Sequence, residues 1–101
     1  MDMEKDELIR YVEVLRQLLP RLMELYLVKS LGVFGSYVRG EQKKGSDLDM
    51  LVEFYEPPGL LKFIEMEHYL SDILGVKVDL VMKDALKPAI GRHILKEVLP
   101  V

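Results

Sequence analysis

The sequence predicts a mixed α/β fold, in which helices pack against a small sheet of three main strands. Apolar residues recur at helical spacing near both ends of the chain, and short apolar runs bounded by glycine or proline lie between them. Half of the 101 residues are hydrophobic and none is cysteine. Residues 1–101 are therefore expected to form one domain whose core needs no disulfide.

The chain opens with a helical pattern. Four apolar residues recur at helical spacing and predict an amphipathic helix over roughly 4–19, namely Leu8, Val12, Leu15 and Leu19. Pro20 is expected to break or restart this helix, because proline is tolerated in a first turn but not in a helix interior. A short second helix is then expected over about 20–27.

The middle of the chain alternates strands and turns. Residues 30–34 are interpreted as a strand ending at Gly35, and Ser36 is expected to cap a brief helix through Arg39. A polar loop follows over 40–46. Residues 48–54 are interpreted as a second strand, which ends at Pro57-Pro58-Gly59.

The last third of the chain repeats this alternation. Apolar spacing predicts a helix over about 60–74 with Gly75 as its C-terminal stop, followed by a strand over 76–82. Pro88 is expected to begin a final helix, with three apolar residues on one face, namely Ile90, Ile94 and Val98.

The charge and hydropathy of the chain limit the kinds of partner and the cellular location that are expected. The formal net charge is −3, whereas nucleic-acid binders usually carry a basic footprint. A nucleotide or another protein is thus favoured as partner over extended RNA or DNA. No apolar stretch is long enough for a membrane span, no signal-peptide core is present, and the lack of cysteine fits the cytoplasm.

Three aspartates are candidates for metal binding. Asp47 and Asp49 are two apart at the start of a predicted strand, so their carboxylates should share one face. Asp79 interrupts an apolar run, where a charge is costly unless it is paired or metal-bound. If the strands that carry these residues are neighbours, the three carboxylates converge and offer hard oxygen ligands for Mg²⁺ or Mn²⁺. In the alternative, Asp47 caps a turn and the other two are solvated strand residues.

A turn upstream of these aspartates is a candidate anion site. Gly35 allows a sharp turn and close approach to a ligand, and Ser36 offers a hydroxyl and helix-start N–H groups. Arg39, one turn later, could reach a phosphate. Ser46 either helps to position a triphosphate or is a turn residue. Gly35-Ser36 alone is also compatible with an ordinary strand-to-helix turn.

Together these motifs resemble a known family. The Gly-Ser-x10-Asp-x-Asp signature of the nucleotidyltransferase superfamily is matched by Gly35-Ser36, ten residues, then Asp47-x-Asp49. The run 35–54 resembles the minimal, MNT-type members, and 78–81 resembles the strand that carries their third carboxylate. Val38 stands where an alanine is common.

The resemblance implies a polymerase-β-like nucleotidyltransferase core. It implies Mg²⁺ held by Asp47, Asp49 and Asp79, and an NTP held by Gly35 and Ser36. The implied product is a nucleoside monophosphate joined to an acceptor hydroxyl, with pyrophosphate released. Asp79 is the best candidate to help deprotonate that hydroxyl.

Minimal members are commonly antitoxins paired with a HEPN-domain toxin, and some transfer AMP from ATP to a tyrosine of that toxin. The resemblance therefore implies a Mg²⁺-dependent protein adenylyltransferase with a HEPN partner, in a hetero-complex or as a homodimer. One alternative is an antitoxin that acts by binding alone. A weaker one is a transferase for small molecules or RNA ends.

Overall fold

The structure is a computed structural model and describes residues 3–101, with side chains from residue 6 onward. Residues 1 and 2 of the expected 1–101 domain lie outside the described residues. The elements, in chain order, are α1 (Met3–Tyr26), β1 (Val28–Phe34), α2 (Ser36–Arg39), β2 (Leu48–Phe54), α3 (Leu60–Leu74), β3 (Val78–Met82), α4 (Pro88–Glu97) and β4 (Leu99–Pro100). A short 3-10 turn, Lys83–Ala85, links β3 to α4. None of the helices among the described residues has the length and hydropathy that a bilayer crossing requires.

The strands form one mixed sheet in the order β3-β2-β1-β4. β1 is antiparallel to β2 and β4, whereas β2 and β3 are parallel. The predicted mixed α/β architecture is confirmed, with a fourth strand added. β4 consists of two residues that pair with Gly32 and Val33, and two residues are too few to show a sequence period.

The sheet has two different faces. The helical face is covered by α1 and α3, and its buried strand residues include Val33, Met50 and Leu80. The opposite face, here called the site face, carries a smaller cluster of Phe34, Leu51 and Ile94, through which α4 packs on the sheet. Because strand side chains alternate, the odd-numbered residues of β2 lie on the site face.

The predicted interruption at Pro20 is wrong. α1 runs from Met3 to Tyr26 with Pro20 inside it. A proline in a helix interior costs about 3 kcal/mol through its missing N–H and its ring. Leu15 and Leu22, on either side of it, are both 0% exposed and bury the same helix stripe against the sheet. Tertiary packing therefore outweighs the local tendency of proline to interrupt a helix.

Two smaller expectations are also wrong. The N-cap of α2 is Gly35, without a side-chain capping bond, and Ser36 is the first helical residue rather than the cap. In α4, Ile90 is 56% exposed and does not share the buried face of Ile94. Gly91 is the buried residue of that first turn, because it lies against Leu86.

Candidate active site

The candidate site is built on the pairing of β2 with β3. Asp49 and Asp79 are direct partners in the parallel ladder, and Phe34 is the partner of Asp49 on the other side. Paired residues of neighbouring strands project to the same face, so both carboxylates belong to the site face. Asp47 precedes β2 by one residue and lies two before Asp49. The structure thus brings the three sequence-predicted aspartates to one end of the sheet.

Asp49 is the most perturbed of these groups. Partial burial, followed by the nearby charges of Asp79 and Asp47, raises the pKa of Asp49 from 3.8 to about 6. The ionised form is disfavoured because it is partly removed from water and because its neighbours are also anionic. A divalent cation would relieve this repulsion.

The donor set fits a divalent metal in type and placement, although the ligand cage is not preformed. Three carboxylates at one strand end offer the hard oxygens that Mg²⁺ prefers. Among residues 6–101, no three acidic or histidine side chains are already gathered as ligands of one metal ion. Asp47 Oδ2 lies 3.9 Å from Lys77 Nζ. Binding would therefore require side-chain rotation, from a backbone that already places the three residues at one end of the sheet.

The turn at Gly35 lies against these carboxylates. Its φ of 83° and ψ of −154° belong to a region that is essentially restricted to glycine. A Cβ at this position would overlap Asp49 Oδ2. The Gly35 carbonyl accepts the N–H groups of Val38 at 3.0 Å and Arg39 at 3.2 Å. The glycine is needed both for its conformation and for its closeness to Asp49.

Glu97 is a member of the site that sequence reasoning missed. Gly35 N–H donates to Glu97 Oε2 at 2.8 Å, and Arg39 Nη1 donates to Glu97 Oε1 at 2.8 Å. Burial disfavours the charge on Glu97, but the hydrogen bonds from Arg39 and Gly35 outweigh it and lower its pKa. Glu97 is 62 residues from Gly35 in the chain. No local motif singles it out, because the two residues meet only in the folded chain.

The other residues predicted to bind phosphate differ in the hydrogen bonds that their side chains already make. Arg39 Nε also donates to Glu41 Oε2 at 3.0 Å, so two carboxylates share this guanidinium. The hydroxyl of Ser36 has no hydrogen-bond partner among the described residues and is available to a ligand. Ser46 Oγ accepts the N–H of Lys43 at 2.9 Å, and Ser46 N–H donates to the Lys43 carbonyl at 2.9 Å. In this structure Ser46 therefore acts as a turn residue, the second of its two interpretations.

An open cavity of about 570 Å³ adjoins the loop that leads to Asp47. Tyr11 and Tyr37 line it, with ring centroids 5.7 Å apart. Basic residues of its rim are Lys43, Lys44 and Lys77. Positive charge is thus concentrated beside an otherwise acidic strand end.

Comparison with known proteins agrees with this geometry. The nucleotidyltransferase domain family matches residues 15–100. The chain belongs to the nucleotidyltransferase family. A protein named protein adenylyltransferase MntA, from Thermococcus cleftensis, is 58% identical to this nucleotidyltransferase over 80 residues, which cover 79% of this chain and 81% of the relative.

Solved structures agree with the sequence relatives. A structure assigned as a minimal nucleotidyltransferase superposes with a TM-score of 0.74 and 34% identity, covering 89% of this chain and 92% of that one. A complex of a tri-AMPylated Shewanella oneidensis HEPN toxin with an MNT antitoxin matches in fold, with a TM-score of 0.61, 16% identity, and coverage of 96% and 70%. The resemblance to minimal, MNT-type nucleotidyltransferases is thereby confirmed, together with the predicted fold.

Proposed function

We propose that this nucleotidyltransferase is a metal-dependent protein adenylyltransferase and the antitoxin of a HEPN-type toxin. It transfers AMP from ATP to a tyrosine hydroxyl of the toxin and releases pyrophosphate. The observation that carries the proposal is the in-register pairing of Asp49 with Asp79, beside Asp47 and against the Gly35 turn. Loss of activity in the modified toxin is the proposed means of neutralisation.

The relatives support the choice of nucleotide and partner. The Thermococcus cleftensis relative is named as a protein adenylyltransferase, and it is 58% identical over most of both chains. The structural neighbour from Shewanella oneidensis pairs an MNT antitoxin with a HEPN toxin that carries AMP groups. These two comparisons support ATP as the proposed donor and a HEPN protein as the proposed acceptor.

The reaction needs positioning and charge neutralisation more than covalent help from the protein. The tyrosine oxygen forms a bond to the α-phosphorus, and the bond from that phosphorus to the oxygen bridging the β-phosphate breaks. Pyrophosphate leaves with the electron pair of that bond. The tyrosine proton passes to a base, and Asp79 is proposed for this role because it is exposed at the site end of β3.

The other residues bind and orient the nucleotide. Asp47, Asp49 and Asp79 would hold Mg²⁺ or Mn²⁺, which when bound neutralises charge between the carboxylates and the polyphosphate. The Ser36 hydroxyl and the donors of Arg39 that Glu41 and Glu97 leave unused are proposed to bind phosphate oxygens. Ser46 is kept as a second phosphate ligand if its loop opens.

A toxin-rescue experiment distinguishes catalysis from neutralisation by contact. Cells expressing the HEPN partner are rescued with the wild type, Asp47→Asn, Asp79→Asn or the exposed control Asp72→Asn. We expect the wild type and the control to restore growth and the two site variants to fail, although they still co-purify with the toxin. Full rescue by both site variants would instead establish an antitoxin that acts by binding alone.

A further inference from the structure

Glu97 connects the end of α4 to the turn between β1 and α2. One carboxylate oxygen accepts the N–H of Gly35 and the other accepts Arg39 Nη1, both at 2.8 Å. The side chain of Glu97 is 13% exposed. This single residue thus fixes both the backbone and a cationic side chain of the candidate phosphate site.

The backbone on both sides of Glu97 is anchored by packing. Three residues earlier, Ile94 is buried in the cluster with Phe34 and Leu51. One residue later, Val98 covers Gly32, where an added Cβ would lie 2.5 Å from Val98 Cγ2. Beyond it, β4 pairs with β1. The position of Glu97 is therefore determined by the packing of the whole C-terminal segment.

The hydrogen bonds of Glu97 leave some donors of the candidate phosphate site free. Guanidinium groups have five N–H donors, and the bonds recorded for Arg39 use its Nε and Nη1. Among the described residues, the Nη2 group of Arg39 and the hydroxyl of Ser36 have no partner. The contact to Glu97 therefore orders the turn while donors remain for a polyphosphate.

We propose that Glu97 is a positioning residue for nucleotide binding, which holds the Gly35–Ser36 turn and Arg39 in the arrangement that accepts the polyphosphate of ATP. This inference rests on the proposed function, since it names a residue that supports the same site. The opposite relationship is competition, in which the carboxylate blocks the donors that a phosphate needs. The two relationships predict opposite changes in ATP affinity when Glu97 is removed.

The test is the affinity of the full chain for Mg²⁺-ATP, measured by calorimetry for the wild type, Glu97→Ala, Glu97→Gln and Glu41→Gln. We expect Glu97→Ala to weaken binding by at least about ten-fold, because the turn and Arg39 lose the two hydrogen bonds that order them and must instead be ordered when ATP binds. The affinity of Glu97→Gln should lie between those of the wild type and Glu97→Ala, because its amide oxygen can still accept the Gly35 N–H. Glu41→Gln, which removes only the exposed partner of Arg39, should change affinity by no more than about two-fold.

A kinetic readout separates positioning from general stability. In Glu97→Gln, the KM for ATP should rise with the dissociation constant while kcat stays within about three-fold of the wild type. Unchanged or tighter ATP binding in Glu97→Ala and Glu97→Gln, at any melting temperature, would overturn the proposal. If Glu97→Ala does not fold, Glu97→Gln alone decides by the same criterion.

The affinity measurement, combined with an assay of AMP transfer to the HEPN protein, distinguishes the two proposals from each other. A wild type that binds Mg²⁺-ATP but never modifies a HEPN protein would refute protein adenylylation, and the variant affinities would still decide the role of Glu97. A wild type that transfers AMP, with variants of unaltered ATP affinity, would leave the proposed function standing and remove Glu97 from it.

Discussion

Asp49 and Asp79 face each other directly across the parallel ladder of β2 and β3. A shift of one residue in this register would move Asp79 to the helical face of the sheet, because strand side chains alternate. The register is fixed by the burial of Leu48, Met50 and Val78 on that helical face. Core packing on one side of the sheet therefore positions the carboxylates on the other.

The pKa of Asp49 predicts an unusual dependence of stability on pH when no metal is present. With a folded pKa of about 6 against 3.8, the folded chain binds more protons than the unfolded chain between these values. The contribution of Asp49 to stability should therefore become less favourable as pH rises from about 4 to about 6 and stay so above that range. Asp49→Asn should therefore be more stable than the wild type at pH 7.5, by roughly 1 kcal/mol after allowance for solvent screening.

Urea unfolding in EDTA at several pH values measures this difference. The stability difference between Asp49→Asn and the wild type should shrink toward zero near pH 3.5, where the carboxyl of Asp49 is mostly protonated in both the folded and the unfolded state. Asp72→Asn, which makes the same substitution at an exposed position, is the matched control. A stability gain of Asp49→Asn that grows as the pH is lowered would contradict a raised pKa of Asp49 in the folded chain.

Divalent cations should stabilise the protein through the same carboxylates. At a Mg²⁺ or Mn²⁺ concentration 100-fold above the dissociation constant, binding to the folded state adds about 2.7 kcal/mol. We expect the melting temperature of the wild type to rise with added metal, and the rise to be largely absent in Asp79→Asn. Equal metal-induced shifts in both proteins would exclude Asp79 from the metal site.

Gly35 should be more sensitive to substitution than another glycine of positive φ. In Gly35→Ala the added methyl meets Asp49 and the backbone lies in a region that alanine avoids, so we expect a loss of about 2–3 kcal/mol and of AMP transfer. Gly75 has a φ of 70° with open space around it, so Gly75→Ala should cost only about 1 kcal/mol. Denaturant unfolding of the two variants gives the comparison, and equal costs would argue against close contact at Gly35.

Pro20 offers a test of the continuous first helix. Pro20 is exposed within α1, so Pro20→Ala restores a helical N–H without removing core contacts. We expect a gain of about 1 kcal/mol or more in the free energy of unfolding. A destabilised variant would indicate that Pro20 itself contributes to the stability of the folded chain.

The elements predicted most closely from the sequence are those with strong local boundaries. β2 covers 48–54 and α3 covers 60–74 as expected, because Pro57-Pro58-Gly59 separates them and Gly75 ends the helix with a φ of 70°. β1 begins two residues earlier than expected and β3 two residues later. Turn chemistry can be predicted locally, whereas the ends of strand pairing depend on the neighbouring strand.

The remaining features depend on tertiary structure. The apolar spacing that includes Leu15 continues to Leu22 beyond Pro20, but the stabilisation that keeps α1 intact comes from burial of both side chains in the core. The Gly35 turn, Asp47 and Asp49 were predictable because they form a spaced motif within one short segment, and Asp79 because it interrupts an apolar run. Glu97 was not, because its contact with Gly35 is created only when α4 packs on the site face.

The most direct test of the account is intact-mass spectrometry of the HEPN partner after incubation with this protein, Mg²⁺ and each NTP in turn. We predict a mass increase of one or more AMP units with ATP, absent with Asp47→Asn and present with Asp72→Asn. No increase with any NTP, from a wild type that still forms a stable complex with the toxin and silences it, would contradict protein adenylylation and leave neutralisation by contact.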